Sequence, residues 1–241
     1  LESYKTAAEK TVELADKINA LGVELKFLDM GGGLGVPYNG ETPPNPTDLV
    51  RAIEGVMSNR KEIAIEKVMK DFETMSNLVL GQLDQIGTLL EKGEMALSEE
   101  DYVVFQNNET KIDKLEVKLS DRIINTIVLF QPVASEIRQI MSAYRIVTSL
   151  ERIGDYANDL IDFLKNIKSI QVYNELSDLI ISMFLTSNEL VKKALISFIQ
   201  QDKDSALWVI KHQADVDQKN NKLLKRVMGK SKAFDEKKKV I

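Results

Sequence analysis

The 241-residue chain contains no cysteine and a single histidine, His212. The first absence excludes disulfides, thiolate catalysis and any cysteine-held zinc or iron–sulfur centre. The second excludes a multi-histidine metal site. No run of about 18 apolar residues occurs, as a membrane-spanning helix would require, and Leu1 opens no signal peptide. The chain therefore reads as soluble and cytoplasmic, reaching a membrane only through partner proteins. Positive charge is also short: 32 Lys and Arg face 37 Asp and Glu, for a net charge of -5. That balance argues against a broad basic face for nucleic acid. Proline and glycine are scarce and clustered. Six of the 12 glycines fall between Gly22 and Gly40, and four of the five prolines (Pro37, Pro43, Pro44, Pro46) stand beside them. This shift in composition marks a boundary near Ser58, dividing the chain into 1–57, 58–169 and 170–241.

Before the boundary, Tyr4 to Leu21 carries Ala8, Val12, Leu14 and Ile18 at helical spacing, and Gly22 supplies a stop. Val23 to Leu28 has a short strand pattern. It is followed by Gly31, Gly32, Gly33 and Gly35 and by the segment Pro37 to Pro46, which excludes regular structure. A bare glycine-rich turn can present backbone N–H groups to a phosphate, but neither a P-loop nor a complete dinucleotide fingerprint is present. The residues alone favour a tight turn over a phosphate cradle.

Beyond it come five long helical patterns. The first runs from about Arg60 to Lys92 with Val68, Phe72, Met75, Val79, Ile86 and Leu90 on one stripe, and Gly93 at its end. The second starts at Ser98 in a capping box and runs to about Leu129, where Gln131-Pro132 interrupts the backbone. The others cover roughly Val133–Ile167, Val172–Ile199 and Asp204 onward, the last fading into a basic, disordered tail at Lys230 to Lys239. Short connections predict antiparallel packing in a bundle. A shift of 104 residues lays Ile112-Asp113 on Val216-Asp217 and Leu119 on Leu223. A second copy of the first three helices would then need a sixth helix, which the chain lacks.

Acidic residues four apart share a helix face, which groups Glu109 with Asp113, and Glu151 with Asp155 and Asp159. Like charges at this spacing destabilise a helix by roughly 0.2–0.5 kcal/mol per pair unless neutralised. Without cysteine and with one histidine, the neutralising ion would be a hard, oxygen-seeking one: Mg²⁺, Mn²⁺ or iron. Chance alone gives about 5.6 such acid pairs in a chain of this composition, and five occur. Spacing by itself therefore does not separate a metal site from a solvated face.

The surrounding residues go further. Gln131-Pro132-Val133-Ala134, then Glu136-Ile137-Arg138, then Leu150-Glu151-Arg152-Ile153-Gly154-Asp155-Tyr156-Ala157 together resemble the PhoU family of phosphate-uptake regulators, over about Asn59 to Arg226. The resemblance implies a mainly all-α fold of two three-helix-bundle repeats, the second lacking its last helix. It also implies carboxylate motifs holding metal clusters, carried here by Glu109/Asp113 and Glu151/Asp155, with Asp159 and Asp217 as further candidates. Transporter subunits and a sensor kinase are the implied partners. The chain departs from the family pattern at Tyr156, where histidine is usual, and at Asp159, where asparagine is commoner. Gln213 replaces the repeat copy of Glu109, leaving Asp217, assisted by Asp215.

Phe27 to Tyr38, with Glu41-Thr42-Pro43, is similar to diaminopimelate decarboxylase over about Leu1 to Met57. In that family this loop binds the phosphate of pyridoxal phosphate inside a (β/α)₈ barrel. A barrel needs roughly 250 residues. The segments with the Schiff-base lysine and the cysteine-containing motif have no counterpart here. The N-terminal part is thus expected to be a small α/β remnant or an artificial join, with Gly31, Gly32, Gly33 and Gly35 a vestigial phosphate loop and no bound pyridoxal phosphate. Leu1 in place of Met, and the missing sixth helix, lead to the expectation of a fragment at both ends.

His212 reads as a surface histidine, Trp208 as core, Arg152 as the partner of a neighbouring acid, and Gly154 as a point of helix–helix approach or of simple packing tolerance. The sequence favours a non-enzymatic, metal-binding regulator that acts by protein–protein interaction, and exposed apolar stripes after Val172 predict a homodimer. The alternatives are a pyridoxal-phosphate-dependent decarboxylase fragment and a metal-free accessory domain of a sodium–phosphate transporter.

Overall fold

The computed structural model describes residues 1–23, 25, 45–93, 98–166 and 173–238, with backbone alone at 57, 58 and 230–238. The helices are α1 (Glu2–Ala20), α2 (Pro46–Lys92), α3 (Glu99–Phe130), α4 (Ala134–Lys165), α5 (Ser177–Gln200) and α6 (Lys203–Lys238). The helical bundle expected beyond the boundary is observed, and no strand occurs among the described residues. The strand expected at Val23–Leu28 and the loop Gly31–Gly35 lie outside them, except Val23 and Leu25, which belong to no regular element.

Local chemistry sets the boundaries. Gly93 adopts φ 66° and closes α2, a left-handed stop that costs glycine little. The Asp101 N–H donates to Ser98 Oγ at 3.0 Å, so Ser98 caps α3. Gln131 turns left-handed (φ 44°) and ends α3 before Pro132. The Val133 N–H then donates to Glu136 Oε2 at 2.9 Å, half of a capping box at the start of α4. Asp202 Oδ1 accepts from the Asp204 N–H at 2.9 Å and starts α6.

Two helices run longer than their sequence patterns. α2 begins at Pro46, not near Arg60, because Asn45 Oδ1 accepts the Thr47 N–H at 3.0 Å. Proline in the first helical position has no N–H to leave unpaired. The division near Ser58 thus falls inside an unbroken helix. α6 continues to Lys238, through the tail expected to be disordered; no glycine or proline follows Gly229.

The chain forms two compact units. The first comprises Leu1–Val68 and Ile124–Arg138. There, Ala8 and Ala15 are buried, and Arg60 donates to both Asp16 oxygens at 3.0 and 2.7 Å. Lys61 pairs with Glu136 at 2.9 Å. The second comprises Met69–Ile123 and Gln139–Ile241. In it α3 runs antiparallel to α2, since Arg122 and Lys118 both meet Asp71 while Gln82 reaches back to the Phe105 carbonyl. α5 lies antiparallel along α2: Phe72 meets Phe198 edge-on at 5.1 Å, and Gly87 lies against Phe184 and Leu185. α6 returns along α5, with Lys219 donating to the Ser182 and Thr186 hydroxyls and Arg226 pairing with Asp178. The whole predicted stripe from Val68 to Leu90 is buried.

Candidate metal centre

α3 and α4 are antiparallel neighbours. Lys165 pairs with Glu99 at 3.1 Å near one end, and Gln106 Nε2 donates to Asn158 Oδ1 at 2.8 Å further along. Beyond that contact Gly154 is buried against Ile112: a Cβ at Gly154 would lie 3.2 Å from Ile112 Cδ1. The tight approach falls beside two acids, because Asp113 follows Ile112 and Asp155 follows Gly154. The result is a group of three carboxylates, Asp113, Glu151 and Asp155, each offering one oxygen within 4.8 Å of the others. Glu151 and Asp155 are half-buried and Asp113 is exposed.

The electrostatics match this crowding. Burial first, then the charges of Asp113, Asp155, Asp162 and Asp159, push the Glu109 carboxyl above its ordinary range. Burial, then Asp155, Glu116 and Asp113, push up Glu151, partly offset by Arg152. None of these acids forms an ion pair among the described residues. Gathering like charges without cations raises the free energy of the fold. A hard divalent or iron-type cation, which prefers oxygen donors, fits this donor set.

Of the predicted site residues, Asp113, Glu151 and Asp155 are brought together. Glu109 lies one turn before Asp113 on α3, half-buried and within reach of the same charges. Asp159 is exposed one turn beyond Asp155 and stands outside the three-carboxylate group. Asp217 and Gln213 are exposed on α6, and no comparable group forms there among the described residues. Gly31, Gly32, Gly33 and Gly35 lie outside the described residues. His212 stacks on half-buried Trp208 at 4.0 Å, and its Nδ1 lies 2.8 Å from the Trp208 carbonyl oxygen. Arg152 departs from expectation: it donates to the Tyr156 hydroxyl at 3.4 Å instead of pairing with an acid. Glu116 and Asp162 were not singled out from the sequence, yet both act on the site. They continue the same helix faces, Glu116 seven residues after Glu109 and Asp162 seven after Asp155, and extending the i,i+4 search to i,i+7 finds them.

Residues 72–164, from within α2 to the last turn of α4, match the family model of the PhoU domain. A phosphate-specific transport system accessory protein PhoU homolog from Aquifex aeolicus is 33% identical over 170 residues, covering 68% of this chain and 72% of that protein. The chain belongs to the PhoU family. A homolog of the same description from Clostridium acetobutylicum is 26% identical over 157 residues, 65% of this chain and 69% of that protein. The PhoU-matching region contains all of the acids on α3 and α4 discussed above.

The N-terminal resemblance is also found. Residues 1–73 match the pyridoxal binding domain of pyridoxal-dependent decarboxylases. Diaminopimelate decarboxylase from Archaeoglobus fulgidus is 46% identical over 61 residues, 25% of this chain and 15% of that enzyme. The Haemophilus influenzae enzyme is 38% identical over 65 residues, 27% of this chain and 16% of its own length. The chain thus spans a small part of these enzymes.

Proposed function

We propose that this PhoU-family chain regulates phosphate uptake and phosphate-responsive signalling without catalysing a reaction. It acts in the cytoplasm by binding phosphate-transporter subunits and a sensor kinase. The accessory role named for its relatives supports the first part. The observation that carries the mechanism is the Asp113, Glu151 and Asp155 group drawn from two helices. Glu109 and these three residues would hold a cation at the α3–α4 contact, with Asp159 and Asp217 as outlying candidates. The ion would supply positive charge to an acidic cluster that forms no ion pair among the described residues. The protein's own contribution is to fix α3 against α4 through Ile112 and Gly154, so that neutralisation stiffens the surface both helices offer to partners.

The test is metal content of the purified chain beside a Glu151→Gln/Asp155→Asn double variant. Near-stoichiometric Mg, Mn or Fe in the parent, lost in the variant, is the expected result. Equal metal in both would remove these carboxylates from the function. Metal in neither would leave a metal-free helical accessory domain.

A second, narrower reading concerns residues 1–57: a sequence remnant that holds no pyridoxal phosphate, in keeping with the 15–16% of the decarboxylases that the chain covers. A new absorbance band on adding that cofactor would contradict it. Self-association is the remaining part of the proposal. Leu207, Ile210, Leu224 and Met228 are exposed along α6, and such a stripe favours a homodimer. Sedimentation velocity across a concentration series checks this; a single monomeric species throughout would count against it.

A further inference from the structure

α4 buries Ile140, Ala143, Val147, Leu150, Ala157 and Ile161. On its other side Met141, Arg145, Thr148, Arg152, Tyr156 and Phe163 fall within an arc of about 80°, at 3.6 residues per turn. The apolar members are well exposed: Met141 41%, Tyr156 61% and Phe163 56%. Arginine, methionine and aromatic side chains are those enriched where proteins meet. Arg145 and Arg152 are exposed, and among the described residues neither forms a close ion pair with a carboxylate, although the chain carries an excess of acid and the Arg152 charge is felt by Glu151. Asp159, also exposed, follows Tyr156 on the same arc. Read along α4, the face therefore runs from the cationic Arg145 and Arg152 to an anionic Asp159 flanked by the aromatic Tyr156 and Phe163.

We propose that this face is the docking surface for an amphipathic helix of a partner protein. Two carboxylates of that helix, seven residues apart, meet Arg145 and Arg152, which are themselves about 10.5 Å apart along the axis. Its apolar side chains cover Met141, Tyr156 and Phe163, and a lysine between the contacts to Tyr156 and Phe163 meets Asp159. Charge complementarity fixes the direction of the partner helix, because the reversed helix would set its lysine against arginine. The inference deepens the reading of the chain as a regulator that works by binding, and it does not require the metal.

The probe is a synthetic helix of about 21 residues with a leucine stripe, two glutamates seven apart and a lysine two turns further on. Its binding to the whole chain is followed by fluorescence anisotropy in chelator, so that loss of metal and loss of docking are read separately. Saturable binding is expected, weakened about tenfold or more in Arg145→Glu/Arg152→Glu and in Tyr156→Ala, with helical circular dichroism unchanged. A control peptide with the charges interchanged should bind at least about tenfold more weakly, and added salt should weaken the parent complex. No binding, equal binding of the two peptides, or full affinity in the arginine variant would overturn the proposal. So would peptide-free self-association abolished by Arg145→Glu, which would assign the face to a second copy of this chain.

Discussion

Gly154 faces two opposed demands. Inside a helix it costs about 1 kcal/mol relative to alanine, yet a Cβ there would stand 3.2 Å from Ile112 Cδ1 and 3.4 Å from Ile112 Cγ2. In Gly154→Ala the gain in helix propensity is offset by this crowding, and stability should stay within about 1 kcal/mol of the parent. In Gly154→Leu a similar gain is outweighed by a much larger side chain. It must push α3 away from α4, at a cost of about 1–3 kcal/mol, and it would part Asp113 from Glu151 and Asp155. Urea denaturation should show a lower midpoint for the leucine variant alone, and metal binding should weaken with it. A leucine variant as stable and as metal-competent as the parent would show that Gly154 does not set the spacing of the acids.

Helix ends are where single side chains control whole elements. The start of α4 depends on Glu136, whose carboxylate accepts the Val133 N–H and pairs with Lys61. The Lys61 hydrogen bond, then the Val133 N–H, hold its carboxyl below the ordinary value of 4.5. An acid with a depressed folded pKa stabilises the fold in full above 4.5, and that contribution is lost as pH falls through the folded value. Glu136→Gln should therefore lower Tm at neutral pH and flatten the decline of Tm below about pH 4.5. Parallel Tm–pH curves for parent and variant would remove Glu136 from the cap. Elements were legible in the sequence where a residue announced the boundary, as at Gly93, Ser98 and Pro132. They were not where one residue type has two meanings: Pro46 reads as a breaker by composition, but next to Asn45 it starts a helix.

For the whole molecule, the acids that could act together were readable within each helix, because i,i+4 spacing is a property of one helix. Which acids meet across helices was not, because that depends on the register set by Ile112 against Gly154. That register selects Asp113, Glu151 and Asp155 and leaves Asp159 outside the group. The same cluster ties stability to function. A cation that binds only the folded chain stabilises it by about 2.7 kcal/mol at a hundred times its Kd, or about 5–10 °C in Tm for a chain of this size. Without metal the sign reverses. The Glu109 carboxyl is raised by burial and by its acidic neighbours, so its charge penalty is absent below 4.5 and grows as pH climbs through the folded value. Glu109→Gln should then melt above the parent at pH 8 in chelator, by an amount on the order of 0.2–0.5 kcal/mol for the like-charge pair relieved. The two should converge near pH 4, and with saturating metal at pH 8 the parent should melt higher. A parent whose Tm ignores Mg²⁺, Mn²⁺ and iron alike, while Glu109→Gln still gains at pH 8, would mean that the fold tolerates these charges for some purpose other than a cation.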